Sequence, residues 1–289
     1  MKVEQRESTG TSGSMMSISD SEFASLREMI YTRFGINLTE QKRSLLVGRL
    51  QKLLRTHRID TFEAYSRYLE KDTSGKATSD LINLISTNYT YFNREKDHFD
   101  YFLNTALPNV CAEIKKRGKK NLRVWCAGCS SGEEAYTLLM LMHEYLGSEY
   151  SHWEAGLLAT DISERVLDTA RAGIYPADKV ASLPENLQRK YFTRLSSGQM
   201  QVRHKIRAEV TFRRFNLMNT RFPFKSPFHI IFCRNVMIYF DLTTRNALVQ
   251  RLHQFLEPKG YFFIGHSETL GRDSKLFSYI MPAVYQKGS

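Results

Sequence analysis

Apolar positions in residues 18–90 recur at helical intervals. Residues 19–22 (SDSE) have the spacing of a capping box, and apolar side chains follow them at intervals of three and four. A second helix is predicted to open at Thr39 with leucines on one face, a third at residues 60–63, and a fourth over residues 79–85. The pattern predicts an all-α N-terminal domain.

From about residue 96 the pattern changes to short apolar runs that alternate with helical periods. Strands are predicted at 122–127, 156–160, 228–233 and 261–264, helices at 133–147, 163–172 and 242–256, a turn at 257–260 and a β-like run at 277–286. Strands separated by helices predict a doubly wound, parallel α/β sheet in a domain over residues 91–289. Runs at 199–202 and 209–215 are predicted to pair as a small antiparallel insertion, about residues 192–215.

Composition places the chain among globular proteins. It has 289 residues, 42% of them apolar, and no run approaches the roughly 18 apolar residues of a membrane span. The N-terminal stretch lacks an apolar segment, so we expect a cytoplasmic protein that is not inserted in the membrane, with a monomer as the default. Residues 1–17, rich in Ser, Thr and Gly, are predicted to be a disordered tail.

The formal net charge of +11 indicates an acidic partner: nucleic acid, anionic lipid or an acidic protein surface. Part of this charge lies on the second predicted helix, which carries Lys42, Arg43, Arg49, Lys52, Arg55 and Arg58. That face is either a solvated surface or a docking surface.

The first predicted strand of the α/β domain ends in VWCAGCSSGEE, residues 124–134. Its two cysteines have C-x-x-C spacing, but neither a second Cys or Cys/His pair nor a thioredoxin-like context accompanies them, so we expect reduced thiols and no metal site. Gly128 and its small neighbours suit a loop that lets backbone approach a ligand. Glu133 and Glu134 in the first helical turn would repel a pyrophosphate and suit a cationic ligand such as S-adenosylmethionine rather than NAD; alternatively, they are favourable charges at a helix N-terminus.

Polar residues follow other strands at the same edge of the predicted sheet. Asp161 follows the second strand, where a carboxylate can accept hydrogen bonds from ribose hydroxyls. Arg234 and Asn235 follow the fourth, either as ligand-binding residues or as a loop before a helix capped by Asp241. The aromatic stretch at residues 86–95 is predicted to pack across the cleft, or else to fill a domain interface.

Five motifs in this order and spacing resemble the chemotaxis receptor methyltransferases, the CheR family: STNYTYFNRE, VWCAGCSSGEEAYTLLM, LLATDISERVLDTARAGIY, FHIIFCRNVMIYFD and LEPKGYFFIGHSE. The resemblance covers residues 18–286. It implies a helical N-terminal domain, a Rossmann-like S-adenosylmethionine-binding domain with a small β-subdomain, and methyl ester formation on glutamates in the cytoplasmic signalling domain of chemoreceptors. It also implies that the basic helix docks on the receptor's acidic methylation region.

The resemblance also assigns roles to particular residues. It places Asn88, Thr90 and Arg94 against the cofactor, Glu134 at its methionine part, Asp161 at its ribose, Asn216 and Leu217 beside its adenine, and Arg234 and Asn235 around the rest of the pocket. Arg94 would lie near the transferring methyl group, and Tyr239 would face that methyl and the substrate carboxylate. These two are the implied catalytic residues.

One loop departs from the family pattern. Members that tether to a pentapeptide at the receptor C-terminus carry a glycine-rich loop, whereas residues 194–201 (RLSSGQMQ) are about three residues shorter and keep only Gly198. We therefore expect independence of the pentapeptide. Two other functions stay open: a nucleic-acid methyltransferase, which the positive charge would serve but whose catalytic motifs are missing, and an adaptor without turnover.

Overall fold

The structure, a computed structural model, describes residues 18–86, 88–271 and 274–288. The predicted tail at 1–17 lies outside these residues. The chain divides into two compact units: the described residues of the first are 18–29 and 38–85, and those of the second are 30–37 and 86 onwards. The division therefore differs from the boundary predicted at residue 90.

The first unit is helical. Its elements are α1 (Asp20–Phe34, whose last residues belong to the second unit), a 3-10 turn (Glu40–Lys42), α2 (Arg43–His57), α3 (Phe62–Lys71) and α4 (Lys76–Ile85). The predicted capping box is present: Ser19 N donates to Glu22 Oε2 at 2.9 Å, and Glu22 N donates to Ser19 Oγ at 3.2 Å. The fourth helix begins earlier than predicted because the Asp72 carboxylate caps it, accepting from Ala77 N at 2.6 Å.

The second unit alternates helices and strands. Its elements are α5 (Lys96–Tyr101), a π-helical turn (Phe102–Ala106), α6 (Leu107–Lys116), β1 (Asn121–Ala127), α7 (Glu133–Leu146), a 3-10 turn (Gly147–His152), β2 (Glu154–Asp161), α8 (Glu164–Ala172), β3 (Ile174–Tyr175), α9 (Ala177–Val180), α10 (Glu185–Tyr191), β4 (Phe192–Arg194), β5 (Met200–Val202), α11 (His204–Glu209), β6 (Val210–Arg214), β7 (Phe228–Phe232), a 3-10 turn (Met237–Tyr239), α12 (Leu242–Gln254), β8 (Leu256–Phe263), β9 (Phe277–Met281) and β10 (Val284–Lys287).

Seven strands form the main sheet in the order β6-β2-β1-β7-β8-β10-β9. The first five are parallel to one another, and β10 pairs antiparallel with both β8 and β9. The chain proceeds outward from β1 to β2 in one direction and from β7 to β8 in the other. The order therefore reverses between β1 and β7, which confirms the doubly wound architecture and makes the carboxyl ends of these two strands the expected ligand edge.

Two apolar clusters cover the two faces of this sheet. Along β1, Val124 and Cys126 belong to one cluster, whereas Trp125 and Ala127 belong to the other. Successive strand side chains point to opposite faces, so both faces must be apolar when helices cover both. This is why the strands appear in the sequence as continuous apolar runs.

Two predictions about the sheet were wrong. Residues 209–215 do not pair with β5 in a ribbon: β6 lies parallel to β2 at the edge of the main sheet, while β5 pairs with β3 and β4 in a separate antiparallel sheet. Residues 209–215 would alternate between buried and exposed in the predicted ribbon and at the edge of the main sheet alike. The sequence pattern therefore could not distinguish these two positions. The turn at 257–260 is instead a bulge inside β8, since Leu256 pairs with Phe228 and Tyr261 with Ile230.

Within the described ranges, no helix combines the length and the apolar character that crossing a membrane requires.

Candidate functional site

The loop after β1 requires glycine. Gly128 and Gly132 have φ angles of 85° and 96°, in the left-handed region that glycine adopts without strain. A Cβ on Gly128 would lie 2.4 Å from Val236 Cγ2, which is too close. Gly128 N donates to Thr160 O, in β2, at 2.7 Å. The missing side chain therefore lets the loop pack between the ends of β2 and β7.

Asp161 is the last residue of β2. Its Oδ2 accepts a hydrogen bond from Ser130 N at 2.9 Å, and its Oδ1 accepts one from Ser163 N at 2.9 Å. Burial raises the pKa of this carboxyl, and the backbone donors oppose the rise. A carboxylate offers about four acceptor positions, so Asp161 retains acceptor capacity for hydroxyl groups of a ligand.

Arg234 is the centre of a buried charge network just beyond β7. Its guanidinium contacts Glu134 Oε2 at 2.7 Å and Glu95 Oε2 at 2.9 Å, and it donates to the carbonyl of Arg94. Its side chain is 1% exposed. Burial alone would lower the pKa of Arg234, but the two carboxylates outweigh burial and raise it. The guanidinium therefore stays charged and ties α7 to the segment that precedes α5.

Glu95 completes this network and was not predicted from the sequence. Burial would raise the pKa of its carboxyl, but the Arg234 charge and hydrogen bonds from Arg234 and Asn235 hold that pKa below its usual range. Glu95 Oε1 accepts from Asn235 Nδ2 at 3.2 Å. Its φ of 58° is unusual for a residue with a side chain and occurs here at a site where several contacts fix the backbone.

A second unpredicted carboxylate, Glu268, holds the loop after β7. It accepts hydrogen bonds from three backbone N–H groups: Asn235 at 2.9 Å, Ile238 at 3.1 Å and Gly265 at 2.6 Å. Gly265 lies so close to Asn235 that a Cβ would be 2.4 Å from its Nδ2. Burial raises the pKa of Glu268 despite these donors. The carboxylate thereby fixes the loop between β7 and α12.

The aromatic stretch before α5 packs against the loop after β1. Ser130 Oγ donates to Asn88 O at 3.1 Å, and Arg94 donates to Tyr89 O at 2.9 Å. Phe92 is fully buried. Thr90 in the same stretch is half-buried. The segment therefore contacts the loop after β1 through Asn88.

Three predicted residues lie around the ends of β6 and β7. Asn216 Nδ2 donates to Arg33 O at 2.8 Å, and Leu217 is buried. Tyr239 is half-buried, and its carbonyl accepts from Asn37 N at 2.8 Å. The loop after β6 begins beside Asp161, because Phe215 N donates to the Asp161 carbonyl at 2.9 Å.

Contacts thus join most of the predicted residues. In one contact network Arg234 joins Arg94, Glu134 and Glu95, and Glu95 joins Asn235; another network joins Asn88 to Asp161 through Ser130. Glu95 and Glu268 were not predicted, although each is the last residue of a motif: Glu95 ends STNYTYFNRE, and Glu268 ends LEPKGYFFIGHSE. The position of a carboxylate at the end of each motif was the available signal.

The cysteines are free thiols, as expected. Cys111, Cys126, Cys129 and Cys233 are all buried. Burial raises the pKa of each of the four thiols, so they stay protonated. Cys126 Sγ donates to Glu134 Oε1 at 3.1 Å. This environment favours small packing residues over a redox pair.

One group of potential metal ligands occurs among the residues described, namely Glu95, His98 and His266, with ligand atoms within 4.8 Å of one another. Both carboxylate oxygens of Glu95 already accept hydrogen bonds, from Arg234, Asn235 and His266 N. A cation would have to displace the guanidinium, so the arrangement favours the ion pair.

Comparison with known proteins gives a consistent match along both units. The family model described as "CheR methyltransferase, SAM binding domain" matches residues 88–285, and "CheR methyltransferase, all-alpha domain" matches residues 21–86. The chain is 44% identical to a chemotaxis protein methyltransferase of Borreliella burgdorferi, over 94% of this chain and 96% of that protein. It is 36% identical to the chemotaxis protein methyltransferase of Salmonella typhimurium, over 93% of this chain and 91% of that protein.

Proposed function

This chain belongs to the CheR methyltransferase family, and from that premise we propose that it methylates glutamate side chains of chemoreceptors, using S-adenosylmethionine. The observation that carries the proposal is the ligand edge of the sheet. There Asp161 ends β2, Glu134 lies in the first turn of α7 beyond β1, and Arg234 follows β7. The product is a glutamate methyl ester, and its role is sensory adaptation in the cytoplasm.

The residues at this edge suit S-adenosylmethionine. Asp161 retains acceptor capacity for the ribose hydroxyls, and the glycine loop lets backbone approach a ligand. Glu134 shares the Arg234 guanidinium with Glu95, so these three side chains together carry one net negative charge, which suits the cationic methionine part. Buried Leu217 offers an apolar contact for adenine, and the neighbouring Asn216 offers a polar one. Asn88, Thr90 and Asn235 would line the remaining pocket.

The chemistry requires alignment more than acid–base catalysis. When bound, the cofactor supplies a methyl group on a positively charged sulfur. A substrate glutamate has an unperturbed pKa of about 4.3, so at neutral pH it is already a carboxylate and no strong general base is needed. We assign to Arg94 and Tyr239 the orientation of that carboxylate by hydrogen bonds. The protein gains chiefly by positioning the nucleophile and excluding water from it.

We restrict the proposed docking face to three of the six basic residues on and beside α2. Arg43 pairs with Asp20 at 2.6 Å, and Arg49 donates to Leu84 O at 3.2 Å, so both hold the helical unit together. Lys52, Arg55 and Arg58 are exposed and make no ion pair within the part of the chain that the structure describes. We propose that these three attract the acidic methylation region of the receptor.

We also propose that methylation does not depend on a receptor C-terminal pentapeptide. The short loop forms the tight β4–β5 connection, in which Leu195 N donates to Gln199 O at 2.8 Å and Gly198 has a φ of 81°. Calorimetry with a peptide of the aromatic-rich tail consensus should give no saturable heat. Tight, saturable binding would contradict this part of the proposal.

One assay separates the proposed activity from its alternatives. The protein is incubated with S-adenosylmethionine labelled in the methyl group and with either receptor-containing membranes or nucleic acid. Label on the receptor that mild base releases as methanol supports the ester. Label on nucleic acid, or no transfer to any acceptor, would refute the proposal; Arg94→Ala, which should abolish most transfer, serves as the matched negative control.

A further inference from the structure

Two adjoining cavities lie at the edge of the sheet opposite the candidate site. They measure about 320 and 280 Å³ and share Ile114, Arg117, His229 and Glu257 as lining residues. Their walls come from the end of α6 and the amino ends of β1, β7 and β8. Because β1 has seven residues, this edge is roughly 20 Å from the candidate site.

Cations outnumber carboxylates around these cavities. The five cations are Lys116, Arg117, Lys119, Arg123 and Lys259, and the two carboxylates are Glu113 and Glu257. The lining therefore carries an excess of three positive charges. An excess of this kind inside a concave surface attracts anions.

Each carboxylate in the lining is shared between two cations. Glu113 contacts Lys116 at 2.9 Å and Lys259 at 3.2 Å. Glu257 contacts Arg117 Nη1 at 3.5 Å and Arg123 Nη2 at 3.3 Å. Lys119 has no ion-pair partner among the residues described. The donors of these side chains are therefore only partly satisfied by the protein.

His229 forms the buried floor between the two cavities. It is 7% exposed, and its Nδ1 accepts a hydrogen bond from Arg123 N at 3.0 Å. Burial lowers the pKa of His229 to about 4, and the charges of Arg123, Arg117 and Lys119 act in the same direction. The ring is therefore neutral at pH 7, with its proton on Nε2 as an available donor.

The bulge in β8 forms one wall of the larger cavity. It carries Glu257 and Lys259 to the rim, and Lys259 has a φ of 61°. Gly260 is needed there, because a Cβ would lie 2.8 Å from His229 O. A sheet does not require such a distortion for its own pairing, and distortions of this kind concentrate at functional sites.

We propose that these cavities form a binding site for a small molecule that carries two linked phosphate groups. Arginine forks and lysine ammonium groups bind phosphate oxygens by charge-assisted hydrogen bonds. Two adjoining cavities, each near the lower end of the volumes usual for ligand sites, suit two linked anionic groups. This binding site lies at the edge of the sheet opposite the candidate functional site. The proposal therefore does not depend on the proposed function.

Inorganic pyrophosphate, titrated into the full chain at constant ionic strength, provides the test. Calorimetry should show saturable binding. The His229 ring pKa, followed by NMR, should rise when pyrophosphate binds, because a nearby anion favours the imidazolium form. No saturable heat, or no movement of the His229 resonances, would overturn the proposal.

A double variant and a matched control give the test its specificity. Arg117→Gln combined with Lys119→Gln removes two exposed cations and should weaken pyrophosphate binding at least tenfold. Lys52→Gln combined with Arg55→Gln removes the same charge from α2 and should leave binding unchanged. Equal weakening in both variants would show non-specific attraction and refute the site. Adenosine diphosphate, titrated in parallel, shows whether the diphosphate binds better free or as part of a nucleotide.

Discussion

At the scale of single residues, the candidate site is held together by carboxylates that accept several donors each. Glu268 is the clearest case because three backbone N–H groups converge on it from two segments. Neither oxygen has a side-chain partner in these bonds, so its effect is on the backbone of the loop after β7. We assign it the role of positioning Asn235 and Tyr239.

Replacing this carboxylate by an amide should loosen the loop. In Glu268→Gln one oxygen becomes an NH2 group, which cannot accept a hydrogen bond and would face backbone donors. Leaving buried donors unsatisfied costs about 1–3 kcal/mol, so the free energy of unfolding should fall by about that amount, and cofactor affinity should fall with it. Urea unfolding and calorimetry measure the two quantities.

A matched control for this substitution is Glu154→Gln, at an exposed position. It should change neither quantity. If Glu268→Gln were as stable as Glu154→Gln and bound cofactor equally well, the positioning role would be wrong.

The lowered pKa of Glu95 predicts how the stability of the protein depends on pH. Its pKa in the folded protein lies below the usual value of 4.5, so the folded state binds this proton less readily than the unfolded state. The stability that Glu95 contributes is therefore fully present above about pH 5 and is lost as the pH falls through the folded pKa. Asp161 and Glu268 have raised pKa values and act in the opposite direction.

The contribution of Glu95 is therefore measured as a difference between proteins. The free energy of unfolding is determined from pH 7 to pH 4 for the wild type and for Glu95→Gln. The variant should be less stable at pH 7, and the gap should narrow as the pH falls below 4.5. A gap that stays constant or widens on acidification would contradict the assignment.

At the scale of elements, the candidate site depends on the close approach of two loops. Gly128, after β1, leaves no room for a side chain against Val236, after β7. Gly128→Ala should therefore both strain the backbone, at about 1–3 kcal/mol, and push the loops apart. Cofactor affinity should fall more than tenfold in calorimetry.

A second substitution separates these two effects. Val236→Ala removes the methyl group nearest the added Cβ, so the pair Gly128→Ala and Val236→Ala should recover part of the affinity, with the strain at φ 85° remaining. No recovery at all would mean that the clash with Val236 is unimportant.

The elements around the site differed in how far the sequence predicted them. The strands of the doubly wound core were predicted because their apolar runs are buried on both faces, and the helices because their apolar side chains recur at helical intervals. The helical stretch from α5 to α6 was missed, although it covers one face of the sheet; its π-helical turn interrupts the regular period. Edge strand β6 was assigned to the wrong sheet because burial on one face does not identify the neighbouring strand.

Side-chain partners were harder to predict than elements. The motifs indicated Arg234 and Glu134 separately, but their ion pair joins residues 100 positions apart in the sequence. Such pairing follows from sheet topology, which brings the ends of β1 and β7 together. Residue types at strand ends therefore indicate a site, whereas its internal hydrogen bonds require the fold.

At the scale of the whole molecule, the excess positive charge has a specific proposed use on α2. Lys52→Glu combined with Arg55→Glu reverses two exposed charges and should slow methylation of the receptor, with the larger defect at low salt, because screening weakens attraction between exposed charges. Rates of methyl transfer at low and high ionic strength test this.

The control reverses charge elsewhere. Lys205→Glu combined with Lys225→Glu also changes two exposed lysines, outside α2. It should leave the rate near that of the wild type at both salt concentrations. If both double variants lost activity equally, net charge rather than the face of α2 would govern docking.

The activity proposed for this chain is the formation of methyl esters on receptor glutamates. The most direct measurement is peptide mass spectrometry of a receptor cytoplasmic domain after incubation with S-adenosylmethionine and the protein. We predict a mass increase of one methylene group on specific glutamates, which is lost after mild base and is mostly abolished by Arg94→Ala. Unmodified glutamates under conditions where the cofactor binds, or methylation of another residue type, would contradict the proposed function.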